Sequence, residues 1–188
     1  MKDAPEPKVT PDSSDGVTRI AIIGNEGGGK TTLARKIALK RRLPITHVDS
    51  IQYLAGFVAR PEDETRHLLN KIANEEKWII DGYGPFDVLE KRLARAHVII
   101  LVNFPVWRHY WWTIKRQFGA LFHPRSELPP GCSERSPLHV LGLLRTISRM
   151  KQHVLPVLKE LLIKNHYSSK VFEVTTVEEW KLIAEAKF

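Results

Sequence analysis

The sequence predicts a three-layer α/β/α fold built on a five-stranded parallel sheet with a helical insertion. Three observations carry that prediction. Short apolar runs alternate with longer amphipathic stretches from Val17 onward. One of those runs, HVIILVNF at 97–104, is apolar enough for a strand covered on both faces. A glycine-rich segment, GNEGGGKT, joins the first apolar run to the first amphipathic one.

Residues 1–16 hold three prolines and almost nothing apolar, which predicts a flexible leader ahead of one domain spanning 17–188. VTRIAII at 17–23 reads as a buried strand, and 30–42 as a helix with Leu33, Ile37 and Leu39 on its inner face. ITHV at 45–48 makes a second strand, and 62–76 a helix that opens on acidic residues. WII at 78–80 makes a third strand, closed by Asp81 and Gly82, and a helix at about 86–95 leads into the fourth strand at 97–104. KVFEV at 170–174 supplies the fifth strand, and 176–186 a last helix with Thr176 as its cap. The segment 105–165 breaks this rhythm. Helices at 105–117 and 138–164, the second interrupted near Pro156, flank a loop rich in proline, glycine and arginine. A long insertion above a sheet edge is where a mobile lid belongs, here about 116–149.

A chain of 188 residues that is 43% hydrophobic has the apolar mass for one core. Its formal charge of +8 favours polyanionic partners such as nucleotides, nucleic acid or acidic lipid headgroups, without choosing among them. The lone Cys132 forms no internal disulfide, and there is neither a signal peptide nor a membrane-length apolar run, so the expected location is cytoplasmic, with no membrane partner. No helix-turn-helix or zinc ligand set is visible.

GNEGGGKT, Gly24 to Thr31, has the spacing of a phosphate-binding P-loop and stands between a strand and a helix, where that chemistry needs it. Glycines at 24, 27, 28 and 29 let main-chain N–H groups turn toward phosphate oxygens that a side chain would block. The expected cofactor-binding set is Gly24, Asn25, Glu26, Gly27, Gly28, Gly29, Lys30, Thr31 and Thr32. Lys30 reaches the outer phosphates, and the Thr31 hydroxyl is a candidate magnesium ligand. Asp49 and Asp81 each follow a strand and should project from the carboxyl edge of the sheet, where open parallel sheets bind ligands. Asp81 is the candidate direct or outer magnesium ligand. Asp49 is placed to orient or deprotonate an acceptor hydroxyl, with a helix cap or turn role as the other reading of each aspartate. His47 either hydrogen-bonds near the site or packs in the core. Arginines neutralise charge spread over a transferred phosphoryl group, and Arg116, Arg125 and Arg135, with Arg145 and Arg149, lie in or beside the expected lid. The cluster Trp107, Tyr110, Trp111 and Trp112 has helical spacing that suits core or hinge packing, with Trp111 a candidate to stack on a base.

Beyond single motifs, IAIIGNEGGGKTTLARKIA, HVD at 47–49, WIIDGYGPFD at 78–87, RLARAHVIILVNFPVWRHYWWTIKR at 92–116 and PPGCSE at 129–134 together resemble adenylate-kinase-related proteins of the DNA topology modulation (FlaR-type) family. The resemblance covers nearly all of the chain after residue 17. It implies a nucleoside-monophosphate-kinase-like fold, ATP on Gly24 to Thr32, Asp81 in the place of the aspartate of the adenylate kinase DGFPR segment, and 116–149 as lid. The chain departs from the family pattern at Phe57, where tryptophan is usual, and at Tyr83 and Gly84, where Asn-Tyr often follows the IIDG glycine. It departs from adenylate kinases at Phe86, where their arginine would follow the proline, so AMP is not implied as the acceptor. The combined expectation is an ATP-binding, magnesium-dependent phosphotransferase acting on an unidentified small acceptor. The alternative is a nucleotide-dependent protein that contacts DNA, for which the basic charge is the main support.

Overall fold

Every ladder in the sheet is parallel, because each strand is followed by a crossover long enough to return the chain to the same end. The computed structural model describes residues 16–120 and 137–186. In chain order its elements are β1 (Arg19–Gly24), α1 (Lys30–Arg41), β2 (Ile45–His47), α2 (Val48–Gln52), α3 (Glu62–Ala73), β3 (Trp78–Asp81), α4 (Phe86–Arg95), β4 (Val98–Val102), α5 (Val106–Ala120), α6 (Pro137–Arg149), α7 (Leu155–Lys164), β5 (Val171–Val174) and α8 (Val177–Glu185). The strand order β2-β3-β1-β4-β5 puts β1 at the centre, with the reversal of order beside it. Ligand crevices of open α/β sheets form at that reversal.

Two apolar clusters, one on each face of the sheet, hold the layers together. Ala21, Ile23, Ile80, Ile99 and Leu101 face Leu69 of α3, Val88, Leu89 and Leu93 of α4, and Leu155, Leu158 and Leu162 of α7. Their alternates Ile20, Ile22, Ile79, Ile100 and Val102 face Leu33, Ala34 and Ile37 of α1 and Ala184 of α8. The period-2 alternation of each strand therefore feeds both faces, which is why the strands read as continuous apolar runs.

The five expected strands are all present, and most helices fall within a few residues of their expected bounds. Three differences have physical causes. Leu39, expected on the inner face of α1, is 83% exposed, while Leu33, Ala34 and Ile37 are buried. A residue six positions beyond Leu33 is turned about 240° around a helix, which is the solvent side. The strand expected at 45–48 stops at His47, because its partner β3 stops at Asp81 and Gly82 then turns away at φ 108°. Val48 has no ladder partner and starts α2, so Asp49 belongs to a helix rather than to a strand end. The interruption expected near Pro156 is a π-helical segment, Met150–Val154, in which the Leu155 N–H reaches back five residues to the Met150 carbonyl. The proline has no N–H for an α-type bond, and the widened turn precedes it. The expected cap on the last helix forms as a reciprocal box, Thr176 accepting from the Glu179 N–H and the Glu179 carboxylate accepting from the Thr176 N–H. No helix among the described residues is long and apolar enough to cross a membrane.

Leu158 is fully buried between α7 and the sheet, whereas Leu182 on α8 is 67% exposed. Leu158→Ala is expected to lower unfolding free energy by about 2–5 kcal/mol and Leu182→Ala by less than about 0.5 kcal/mol, read from urea denaturation midpoints. Similar losses for the two variants would contradict the layered packing.

Candidate active site

The P-loop leaves β1 where the sheet is tightest. Gly24 pairs with Val102 of β4 at φ 141°, and a Cβ there would lie 2.1 Å from the Val102 carbonyl oxygen. Only glycine fits, and the chain can turn out of the sheet at once. Gly29, at φ 73°, then precedes the first turn of α1, whose N–H groups have no partner within the helix. Those donors, with the positive helix end, face an open cleft of about 500 Å³.

The loop is clasped from behind. A Cβ on Gly27 would lie 2.3 Å from Thr113 Oγ1, and one on Gly28 would lie 3.0 Å from His109 Cε1, both on α5. His109 donates its Nδ1–H to the Glu26 carbonyl at 2.7 Å, a tautomer fixed by an acceptor that has no proton to give. Asn25, 2% exposed, donates its amide to the Ile147 carbonyl of α6 at 2.8 Å and accepts from the Glu26 N–H at 2.8 Å. Trp180 of α8 lies against Gly29. Gly24 and Asn25, expected to bind the cofactor, do not line the cleft; Glu26, Gly27, Gly28, Gly29, Lys30, Thr31 and Thr32 do.

Within the loop the Lys30 ammonium is almost buried, 2.9 Å from the Asn25 carbonyl and 3.9 Å from the Glu26 carboxylate. Beside it, Thr31 donates its hydroxyl to Asp81 Oδ2 at 2.8 Å, and Asp81 Oδ1 is 2.6 Å from His47 Nδ1. The contact with His47 follows from register, since His47 and Asp81 are direct partners on adjacent strands. His47 is thus at the site rather than in the core. Asp81 is 4% exposed and stands one strand from the P-loop. Behind it, Arg92 of α4 is fully buried and donates to the carbonyls of Gly82 and Tyr83 at 2.5 and 3.2 Å. Burial pulls this guanidinium down to about 10, against the pull of Asp81 and Tyr83 in the other direction, so it stays charged at neutral pH and backs the aspartate with positive field.

Val48, Asp49 and Gln52 of α2, Tyr53, and Gly82 and Tyr83 after β3 also line the cleft. Arg116 lines the cleft from α5, next to Trp112. Trp112 rather than Trp111 is the aromatic at the cleft, because one residue on a helix is a turn of about 100°. Trp111 is 59% exposed, and Trp112 packs edge-on against Phe104 at 5.0 Å. Arg145 and Arg149 are exposed and do not line the cleft. Arg125, Arg135, Cys132 and most of the expected leader lie outside the described residues.

Oxygen donors from Thr31 and Asp81, beside a phosphate-binding loop, suit a hard cation that takes its remaining ligands from phosphate and water. No cluster of three or more histidine, cysteine or carboxylate side chains that would hold a metal without such help occurs among the described residues. His109, Thr113, Trp180 and Arg92 were not foreseen from sequence. Only the i, i+4 spacing of His109 and Thr113 on one helix face hinted at a shared task.

No family model and no curated protein matches the chain. Among solved structures it is similar to a shikimate kinase from Acinetobacter baumannii in complex with shikimate, at 14% identity, 89% coverage of each chain and a TM-score of 0.57. Shikimate kinases from Bacteroides thetaiotaomicron (16% identity, 90% of this chain and 95% of that one, TM-score 0.47) and Aquifex aeolicus (15% identity, 89% and 91%, TM-score 0.46) also match. The first of these likenesses shows the fold alone, a five-stranded parallel sheet flanked by helices.

Burial pulls the His109 pKa down to about 4, opposed by its bond to the Glu26 carbonyl and reinforced by the charges of Lys30 and Lys151. The ordinary value is 6.5, so between these limits the unfolded chain binds more protons than the folded one. Stability supplied by neutral His109 is present above 6.5 and is lost as pH falls toward 4. His97, also held below its ordinary value by burial and the nearby Arg19 and Lys170 charges, contributes with the same sign. Thermal denaturation between pH 7 and 5 is expected to show a shallower loss in His109→Gln than in the parent chain; parallel curves would contradict the burial of a neutral imidazole.

Proposed function

We propose that the protein is an ATP-binding, magnesium-dependent phosphotransferase acting on a small acceptor in the cleft. The observation that carries this reading is the convergence of a nearly buried Lys30 inside a glycine loop with the Thr31–Asp81 pair, in a cleft that Asp49 also lines.

The chain's residues divide the task. Main-chain donors of Gly27 to Thr32 and the start of α1 bind the triphosphate, and Lys30 sets a point charge against its outer groups. Thr31 and Asp81 would hold magnesium, which would supply positive charge to neutralise the phosphate groups. His47 and Arg92 fix the Asp81 carboxylate, the first by hydrogen bond and the second by field. Arg116, at the start of the lid region, is positioned to counter charge on the transferred group. Arg125 and Arg135 are proposed to join it on lid closure. Asp49 orients the acceptor hydroxyl, a role that phosphoryl transfer needs less than positioning.

The resemblance to FlaR-type proteins, carried by the sequence runs alone, belongs to the same proposal. Nothing observed at the described residues favours the DNA-contacting alternative. Shikimate, the molecule held by the Acinetobacter baumannii structure, belongs in any acceptor panel.

Lys30→Ala is expected to weaken Mg·ATP binding by about 1.5–3 kcal/mol, roughly 10- to 150-fold in Kd, by removing a charge-assisted contact. Titration calorimetry on variant and parent, with circular dichroism to confirm folding, checks this. Equal affinities, or an absence of binding heat in the parent, would overturn the proposal.

A further inference from the structure

We infer that Glu26 is a built-in competitor for the phosphate site: its carboxylate stands against the Lys30 ammonium, and a polyphosphate binds by displacing it. The inference rests on the nucleotide-binding reading and says what limits the strength of that binding.

The phosphate-loop spacing leaves the residue type at position 26 open, since the cradle is made by main-chain N–H groups and by the lysine. From Gly24 to Thr32, Glu26 is the one acidic residue. Its side chain is partly exposed and lines the cleft, and its carboxylate lies 3.9 Å from the Lys30 Nζ. That separation makes an ion pair but no hydrogen bond, while Lys30 donates to the Asn25 carbonyl at 2.9 Å. A carboxylate so placed offsets the ammonium charge, and rotation about its own side-chain bonds is enough to move it aside.

The main chain that carries it is held at both ends. The Glu26 carbonyl accepts from His109 Nδ1 at 2.7 Å, and the Glu26 N–H donates to Asn25 Oδ1 at 2.8 Å. Asn25 is anchored in turn on the Ile147 carbonyl, and Gly27, next in the chain, packs on Thr113. The loop thus fixes where the Glu26 side chain starts, beside the cation that a phosphate needs.

A phosphate oxygen bonded to Lys30 sits about 2.7–2.9 Å from its nitrogen. With Glu26 where it stands, that oxygen is within about 7 Å of the carboxylate, whatever its direction of approach. Anions at that range, inside a screening length of about 10 Å, repel each other. The carboxylate therefore rotates away from Lys30 as the ligand arrives, and the lost pairing is subtracted from the new phosphate contact. The field of Glu26 is felt elsewhere in the cleft: the Tyr53 phenol is raised by burial first, then by Asp49 and Glu26. Competition of this kind weakens ATP and ADP alike, which favours release of the spent nucleotide.

The test is titration calorimetry on the full chain with Mg·ATP and, separately, with inorganic tripolyphosphate, which has the phosphates without the nucleoside. Glu26→Gln keeps the shape of the side chain and removes its charge. It is expected to lower Kd about 3- to 10-fold for both probes, by relieving one ion pair and one like-charge repulsion. Damage to the loop would weaken binding, so a gain separates competition from a structural role. Should circular dichroism show the Gln variant unfolded, Glu26→Ala carries the same expectation. Added to Lys30→Ala, Glu26→Gln is expected to give a smaller gain than it gives alone, because the contested cation is gone. Unchanged or weaker binding by the folded variant overturns the inference. So does a gain confined to Mg·ATP, or one of full size in the Lys30→Ala chain; all three results leave nucleotide binding standing. Failure of the parent chain to bind Mg·ATP removes both the inference and the reading beneath it.

Discussion

The site depends on one carboxylate held in one place. Asp81 ends β3, accepts the Thr31 hydroxyl on one oxygen and meets His47 on the other. It thereby ties the first turn of α1, the strand beside β1 and the edge strand β2 to a common point. A carboxylate this buried is costly unless its lone pairs are occupied and a counter-charge is near. The two side-chain contacts answer the first need, and the buried Arg92, which feels the Asp81 charge, answers the second. The register of β2 on β3 and of β3 on β1 is what brings these groups within reach, so the chemistry of the cleft follows from strand pairing.

The phosphate loop depends on packing as much as on glycine. His109 and Thr113 of α5, the Ile147 carbonyl of α6 and Trp180 of α8 all press on or bond to its outer side. Helices α5 and α6 belong to the insertion and are pinned together where Tyr110 meets Ser148 at 2.5 Å. The element that carries Arg116 into the cleft is therefore the same one that braces the loop through His109. Packing thus ties the position of that helix pair to the shape of the cradle.

The parts of the site that main-chain chemistry dictates were legible in the sequence. The glycines and Lys30 announce themselves because a cradle of N–H groups tolerates few alternatives, and Asp81 because a strand end in a parallel sheet points at the crevice. Asp49 was legible as a residue at the cleft but not as a helical one, since the shift from strand to helix at Val48 is set by where β3 ends. Trp112, Leu39 and the exposed Arg145 and Arg149 show a second limit: on a helix, facing is decided by a turn of about 100° per residue, finer than boundaries read from composition. Arg92 and His109 were invisible because their partners, the Gly82 and Tyr83 carbonyls and the Glu26 carbonyl, lie 10, 9 and 83 residues away and are backbone atoms with no residue signature.

Thr31 and Asp81 are proposed to seat a divalent cation beside a bound triphosphate. The most direct test is the magnesium dependence of ATP affinity, measured by calorimetry with magnesium and with chelator, in the parent chain and in Asp81→Asn. Magnesium is expected to tighten binding in the parent, and Asp81→Asn to abolish most of that gain while leaving metal-free binding little changed. An equal magnesium effect in both proteins would contradict this role.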